Sequence, residues 1–303
     1  MKISIVIPIF NEELSINSFY SELSKVLCGI NSEFEILFID DGSHDNSVKI
    51  LKTLMAKDNR IKLIEFSRNF GKEAALTAGI DFANGDALIP IDVDLQDPPE
   101  LIKKLIAKWQ EGFDVVLAKR INRDSDSFLK RITSHFFYRL YNLISKVKIP
   151  ADVGDFRLID KKVIEALRKL PENQRFMKGL FAWIGFSQCT VEYSRNIRMG
   201  GYSKFNGISL IRLAIDGIIN FSIFPIRLFT YLGILGLLAN ITFSLIVLYK
   251  SIIENTAPAG YSSIILMITF VGSIQILGIG ILGEYLGRIY VETKRRPIYI
   301  IKK

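Results

Sequence analysis

The chain has 303 residues, enough for one large domain and a smaller addition. Its formal net charge of +8 and sequence pI of about 9.3 imply an anionic partner: a nucleic acid, a membrane surface or a phosphorylated substrate. Two scattered histidines, His44 and His135, exclude a zinc site, and Cys28 and Cys189, with no C-x-x-C spacing, read as buried thiols rather than a disulfide.

Residues 1–10 lack the basic start and long apolar core of a signal peptide. Ile3 to Ile9 is mostly β-branched and reads as a buried strand, followed by Asn11-Glu12-Glu13 and a helix through Leu14, Phe19, Leu23 and Leu27. A second strand, Glu35 to Ile39, ends in Asp40-Asp41-Gly42-Ser43 and leads to a helix through Val48, Leu51 and Leu54. A third strand, Ile61 to Phe66, precedes Ser67-Arg68-Asn69-Phe70-Gly71-Lys72 and an Ala-rich helix from Glu73. Asp86 to Asp92 is the fourth strand. Strand, polar turn and helix in repetition predict a doubly wound, mostly parallel sheet whose strand ends share one rim. The turns at Asn11-Glu12, Asp40-Asp41, 68–72 and Asp92–Asp94 then line one crevice.

The stretch Ile89 to Glu100 is the focus of that crevice. Asp92 and Asp94 stand one residue apart, so in a strand they share a face. Two converging carboxylates repel unless a cation lies between them, and hard oxygen ligands suit Mg²⁺ or Mn²⁺ held together with substrate phosphates. The competing expectation is a plain helix start, with Asp97-Pro98-Pro99-Glu100 as an acidic cap.

Phe113 to Ala118 reads as a fifth strand ending in Lys119-Arg120. From Phe128 to Val147, apolar Phe128, Ile132, Phe136, Leu140 and Ile144 form one stripe, with Lys130, Arg131, Arg139 and Lys146 off it. Such a basic amphipathic helix suits a membrane surface. Ala151 to Ile159 reads as a loop entering a strand, 161–170 as a helix, and 193–204 as a basic loop able to clamp phosphate through Arg195, Arg198 and Lys204. Residues 208–224 are again amphipathic.

The mean hydropathy of +0.27 is high for a chain with 23% charged residues, and the excess lies after Pro225. Leu228–Leu248 and Ile264–Leu282 carry no charge, each about 20 residues and long enough to cross a bilayer. Two transmembrane helices, about 228–249 and 264–286, are expected as a hairpin. Basic residues flank its outer ends, at Arg212, Arg227, Arg288 and Lys294-Arg295-Arg296, which predicts both termini and the globular domain in the cytoplasm. Gly278-x-Gly280-x-x-Gly283 matches a dinucleotide pattern but lies inside an apolar helix, so it is not a nucleotide site; Gly283-x-x-x-Gly287 is expected to allow close helix packing.

Taken together, Pro8-Ile9-Phe10-Asn11-Glu12-Glu13, Asp40-Asp41-Gly42-Ser43, Ser67 to Glu73, Asp92-x-Asp94-Leu95-Gln96-Asp97-Pro98-Pro99-Glu100, Gly154-Asp155-Phe156-Arg157 and the terminal hairpin resemble polyprenyl-phosphate glycosyltransferases of family two, and most closely the bacterial bactoprenol glucosyltransferases. The resemblance covers essentially the whole chain. It implies a GT-A catalytic domain over 1–204, a juxtamembrane helix over 205–227 and the anchor with a basic tail over 228–303. It further implies that Pro8, Phe10, Glu12, Asp40, Asp41, Lys72 and Asp92 hold a UDP-sugar. Asp92, Asp94 and Gln96 would hold the metal and diphosphate. Arg120, Arg131 and Ser134 would lie near the acceptor phosphate, Arg195, Arg198 and Lys204 on a closing loop, and Asp155 at the position of the catalytic base. The implied acceptor is undecaprenyl phosphate in the bacterial inner membrane, the implied assembly a homo-oligomer, and the product would pass to a separate flippase and a downstream glycosyltransferase. Nucleic acid is not an expected partner, because the charge gathers at membrane edges and in the phosphate loop. A processive polysaccharide synthase would carry Q-x-x-R-W, which Gln174-Arg175-Phe176 does not supply. A non-catalytic anchored sugar-nucleotide binder is disfavoured by the intact acids and Lys72.

An acceptor phosphate monoester has its second pKa near about 6 and is already largely anionic at neutral pH. A base has little proton to remove from it. Asp155 is therefore expected to orient Arg157 or the sugar hydroxyls.

Overall fold

The computed structural model describes residues 1–121, 139, 147–148, 150, 153–173, 175–194, 224–253 and 260–302. The expected amphipathic helix at 128–147, apart from residues 139 and 147, the phosphate-loop residues Arg195, Arg198 and Lys204, and Arg131 and Ser134 lie outside the described residues.

Seven strands form one sheet: β1 (Lys2–Ile9), β2 (Glu33–Asp40), β3 (Ile61–Glu65), β4 (Ala87–Pro90), β5 (Val115–Arg120), β6 (Val153–Asp160) and β7 (Gln188–Tyr193). Their order is β3-β2-β1-β4-β6-β5-β7. β1, β2, β3 and β4 pair in parallel, as the alternation of strand and helix requires. β6 runs against both β4 and β5, while β5 and β7 are parallel to each other. The sheet is thus parallel except for β6, whose reversal brings its first residues to the rim where β4 and β5 end.

Helices cover both faces. Ile3, Ile5, Ile7 and Ile9 of β1 meet α1 (Ile16–Cys28), α2 (Ser47–Met55) and α4 (Leu101–Gln110) on one side. Val6, Leu37, Ile39 and Leu88 meet α3 (Lys72–Phe82), α5 (Lys161–Arg168) and α6 (Met177–Trp183) on the other. The alternation follows from the two-residue strand period. The Ala-rich sequence of α3 has a reason: a Cβ added to Gly79 would stand 2.1 Å from Val6 Cγ1, so only a small face fits there.

The fourth strand is shorter than expected. β4 stops at Pro90, and Asp92 and Asp94 lie in the turn beyond it, not in the strand. Both cysteines are free; Cys28 is exposed and Cys189 half-buried, so neither is the buried thiol expected. Cys28 ends α1, where the helix meets solvent.

Two long helices follow, α7 (Phe224–Ile253) and α8 (Tyr261–Thr293). Among the described residues, Phe270–Thr293 is long and apolar enough to cross a membrane, and α7 holds a shorter apolar stretch, Tyr231–Phe243. The α8 stretch reaches further toward the C-terminus than expected and takes in Glu284 and Arg288, which neutralise each other one turn apart at 3.1 Å. At Gly283 and Gly287, where close packing was expected, a Cβ would meet nothing within 4 Å among the described residues. Gly278 instead takes the neighbouring helix, with a would-be Cβ 2.5 Å from the Phe229 ring.

Candidate active site

The rim of the sheet is built from the ends of β1, β2 and β4 and the start of β6. Residues beyond β1 are stitched to those beyond β2. Asn11 N–H donates to Ser43 Oγ at 2.9 Å, Glu12 N–H to Ser47 Oγ at 2.9 Å, and His44 N–H to Asn11 Oδ1 at 2.8 Å. Pro8, Phe10 and Glu12 line this seam half-buried. Gly42 turns the chain with φ of +72°, and a Cβ there would meet the Arg68 carbonyl carbon at 2.5 Å.

Asp40 and Asp41 are both buried, and burial pushes both carboxyls above the usual carboxylate range. Asp40 accepts from Ser43 N–H at 3.2 Å. Asp41 accepts from Phe70 N–H at 2.6 Å and Gly71 N–H at 2.9 Å. Asp41 therefore fixes the loop that delivers Lys72.

From Ile91 to Asp97, residues alternate strictly: Ile91, Val93, Leu95 and Asp97 are buried, while Asp92, Asp94 and Gln96 are half-exposed. Asp92, Asp94 and Gln96 are the less covered residues of an irregular turn in which Leu95 adopts a φ of +55°. Asp94 Oδ1 accepts from Gln96 N–H at 3.2 Å.

Antiparallel pairing sets Asp155 opposite this turn. Ala87 pairs with Asp160 and Leu88 with Ile159, and continuing that register carries Asp155 level with Asp92. Lys72 Nζ bridges the two, 2.7 Å from Asp92 Oδ1 and 3.0 Å from Asp155 Oδ2. Burial opposes charge on Lys72 and on Asp155, yet the ion pairs win. Asp92 and Asp155 hold the Lys72 ammonium above its ordinary range, and Lys72, Lys178 and Arg157 hold the Asp155 carboxyl well below its own. Asp155 is thus a committed anion.

Arg157, one of the expected partners of Asp155, reaches its backbone carbonyl, with Nε 3.4 Å away. Arg157 Nη2 donates to the Gly154 carbonyl at 2.7 Å, and its guanidinium lies over the Phe181 ring at 4.1 Å; the Asp155 carboxylate pairs with Lys72. Arg120 is half-buried at the end of β5. Its Nε donates to Tyr193 Oη at 3.2 Å, and the Tyr193 hydroxyl donates to buried Asp97, which Arg120 also approaches at 3.9 Å. Asp97 is a member of this network rather than only a helix cap.

Glu73, beside Lys72, escaped the sequence reading. It accepts from Met177 N–H at 3.0 Å, which fastens the start of α6 to α3. Burial, then the nearby Asp155 charge, pushes its carboxyl up to about 7. Its place directly after the Phe70-Gly71-Lys72 turn was the available signal.

Residues 4–168 match the sequence profile of glycosyl transferase family 2. The chain belongs to glycosyl transferase family 2. A prophage bactoprenol glucosyl transferase homolog of Escherichia coli K12 is 49% identical over 303 residues, spanning all of this chain and 99% of the relative. The SfII prophage-derived bactoprenol glucosyl transferase of Shigella flexneri is 48% identical over the whole chain and 98% of its own length. Among solved structures, the glucosyl-3-phosphoglycerate synthase of Mycobacterium tuberculosis, in complex with Mn²⁺, UDP-glucose and phosphoglyceric acid, aligns with a TM-score of 0.47 and 17% identity, covering 72% of this chain and 77% of that one. This family 2 enzyme is a glycosyltransferase of α/β fold, and the whole-length relatives agree with the bactoprenol resemblance drawn from its motifs.

Proposed function

We infer that the enzyme transfers glucose from UDP-glucose to undecaprenyl phosphate at the cytoplasmic face of a bacterial inner membrane. The observation that carries this is the meeting of Asp92, Asp155 and Lys72 at the sheet rim, in a chain matched end to end by bactoprenol glucosyl transferases. The same rim would serve another nucleotide-sugar, including GlcNAc, GalNAc, aminoarabinose or mannose donors, with small changes in the pocket.

Asp92 and Asp94 would hold a Mg²⁺ or Mn²⁺. No cluster of three acidic, His or Cys ligands occurs among the described residues. Two half-exposed carboxylates fit an ion that takes its other ligands from the donor diphosphate. Bound there, it would neutralise charge growing on the leaving UDP. The seam at Pro8, Phe10, Glu12, Asp40 and Asp41 would hold uridine. In a single displacement, a lipid phosphate oxygen attacks the anomeric carbon as the bond to UDP breaks, which inverts the anomer. Lys72, a permanent cation, supports the anionic rim, and Asp155, already paired, orients it. Arg120, Arg131 and Ser134 are assigned to the acceptor phosphate by motif, and Arg195, Arg198 and Lys204 to a closing loop.

The lipid accounts for the apolar helices. Withdrawing a polyprenyl chain from a bilayer costs about 0.8 kcal/mol per CH₂, so the enzyme must work at the membrane. Residues 1–204 would form the catalytic domain, 205–227 a juxtamembrane helix and 228–303 the anchor and tail. Two crossings, by α7 and α8, are supported by the tail. The chain leaves the catalytic domain before α7 and returns after α8 to bond β3, through Lys302 N–H to the Glu65 carbonyl at 2.7 Å. With domain and tail on one side the number of crossings would be even, which fits the pair α7 and α8 better than α8 alone.

The test is a screen of UDP-glucose and other nucleotide-sugars against undecaprenyl phosphate in membranes, read as label in extractable lipid. UDP-glucose is expected to give the product, and Asp94→Ala to lower the rate about 10²- to 10³-fold, the size seen when one stabilising group for developing charge is lost. No transfer from any UDP-sugar with Mg²⁺ or Mn²⁺ present would refute the proposal.

A further inference from the structure

The segment after α8 docks on the catalytic domain close to the loop that carries Lys72. Ser67 N–H donates to the Ile300 carbonyl at 2.9 Å, and Phe66 and Ile301 face each other as an antiparallel bridge. The Tyr299 ring stacks on Phe66 with centroids 5.0 Å apart, and its hydroxyl donates to Asp81 at 2.8 Å. Ile298 and Tyr299 pack against the core on the α3 face. At the end of α8, the Glu292 carboxylate accepts from Asn173 N–H at 3.0 Å.

These contacts continue inward without a break. Phe66 meets Phe70 edge-on at 5.7 Å. Phe70 N–H and Gly71 N–H are the donors gripped by Asp41, and Lys72, the next residue, bridges Asp92 and Asp155. Phe66 is only 2% exposed, and Tyr299 is part of its cover.

We propose that residues 298–302 are a positioning element for the donor site. Docked as an added antiparallel segment on β3, they hold 67–72 in the conformation that closes Asp41 on its two amides and presents Lys72. Loops with few buried contacts open at low cost, and this loop borrows contacts from the far end of the chain. The membrane anchor and the donor pocket are thereby joined through protein as well as through the shared lipid substrate. The assignment rests on Asp41 and Lys72 belonging to the donor site.

The experiment compares the full chain in membranes with a deletion of 298–303, Tyr299→Ala and Tyr299→Phe. It measures KM and kcat for UDP-glucose, and amide hydrogen exchange. The deletion and Tyr299→Ala are expected to raise the donor KM about tenfold, within the range that a small misplacement of a site can cost. They should speed exchange at Ser67, Phe70 and Gly71 while the β1 amides keep their protection. Tyr299→Phe keeps the stack and gives up only the bond to Asp81, so it should stay within about twofold of the parent. Unchanged KM and unchanged exchange in the deletion would overturn the proposal. Protection lost equally in β1 and in 67–72 would also overturn it, by giving the tail a general role in stability. Should the parent chain transfer no glucose, the functional assignment fails, and exchange at Phe70 and Gly71 still decides the role of the tail.

Discussion

The sheet rim and the α7–α8 pair use opposite means to stay in place. At the rim, Lys72 lies within 3.0 Å of Asp92 and Asp155, half-buried, and Asp41 is closed by two backbone amides. In the helices, large apolar side chains stand bare: Leu235 is 64% exposed, Ile276 73% and Ile279 69%. Covering such a side chain is worth about 1.5–3 kcal/mol, so an array of them in water would be strongly unfavourable. The rim is held by protein contacts; these helical side chains are left to whatever surrounds the pair. Order in the first is electrostatic and local, and in the second it depends on the surroundings.

Removing charge from the rim should break the first half of that contrast. Asp155→Asn is expected to cut transfer about 10²-fold or more, because Lys72 loses one of two carboxylates that orient it. The loss should persist from pH 7 to pH 9, since a carboxyl held below its ordinary range is already ionised throughout. Full recovery at high pH would reinstate Asp155 as a proton acceptor.

A smaller effect is expected at Glu73. Its folded carboxyl titrates near 7 against an ordinary 4.5. The folded chain therefore keeps a proton that the unfolded chain releases. The stability this confers is full below about pH 4.5 and is lost as pH rises through about 7, to the extent of roughly 3 kcal/mol. Thermal midpoints in detergent should accordingly fall from pH 5 to pH 7.5 in the parent and stay nearly level in Glu73→Gln, which still accepts from Met177 N–H. Equal slopes in the two proteins would show that Glu73 is not the titrating group.

The least effect sharpens the second half of the contrast. Gly278→Val should weaken the α7–α8 contact by about 1–2 kcal/mol, because its side chain would run into Phe229. Gly283→Val, facing open space, should cost the pair almost nothing. Protease susceptibility of the helix pair in bilayers separates the two variants, and equal susceptibility would mean that the helices do not pack through Gly278.

Strand runs such as Ile3 to Ile9 and Glu35 to Ile39 were legible because a buried parallel strand is apolar on both faces. Periodicity carries no direction, so the reversal of β6 was not legible, and with it the reason Asp155 faces Asp92. Strand β7 was missed because it buries only one side: Cys189, Val191 and Tyr193 are more buried than Gln188, Thr190 and Glu192. The seven-residue α6 is too short for its period to stand out. Asp92 and Asp94 follow from a strand argument that β4 does not reach; what continues through the turn is the alternation of buried and half-exposed residues. Ile298-Tyr299-Ile300-Ile301 has the composition of a strand, yet the surrounding lysines and arginines drew it into a basic tail.

The docked tail has one more consequence. β3 is the outermost strand on its side of the sheet, and residues 300–302 take up hydrogen-bonding groups where it ends, at Glu65 and Ser67. An open strand margin is a template on which another chain can grow. That fold-back leaves fewer unsatisfied rungs for a passing copy to grasp.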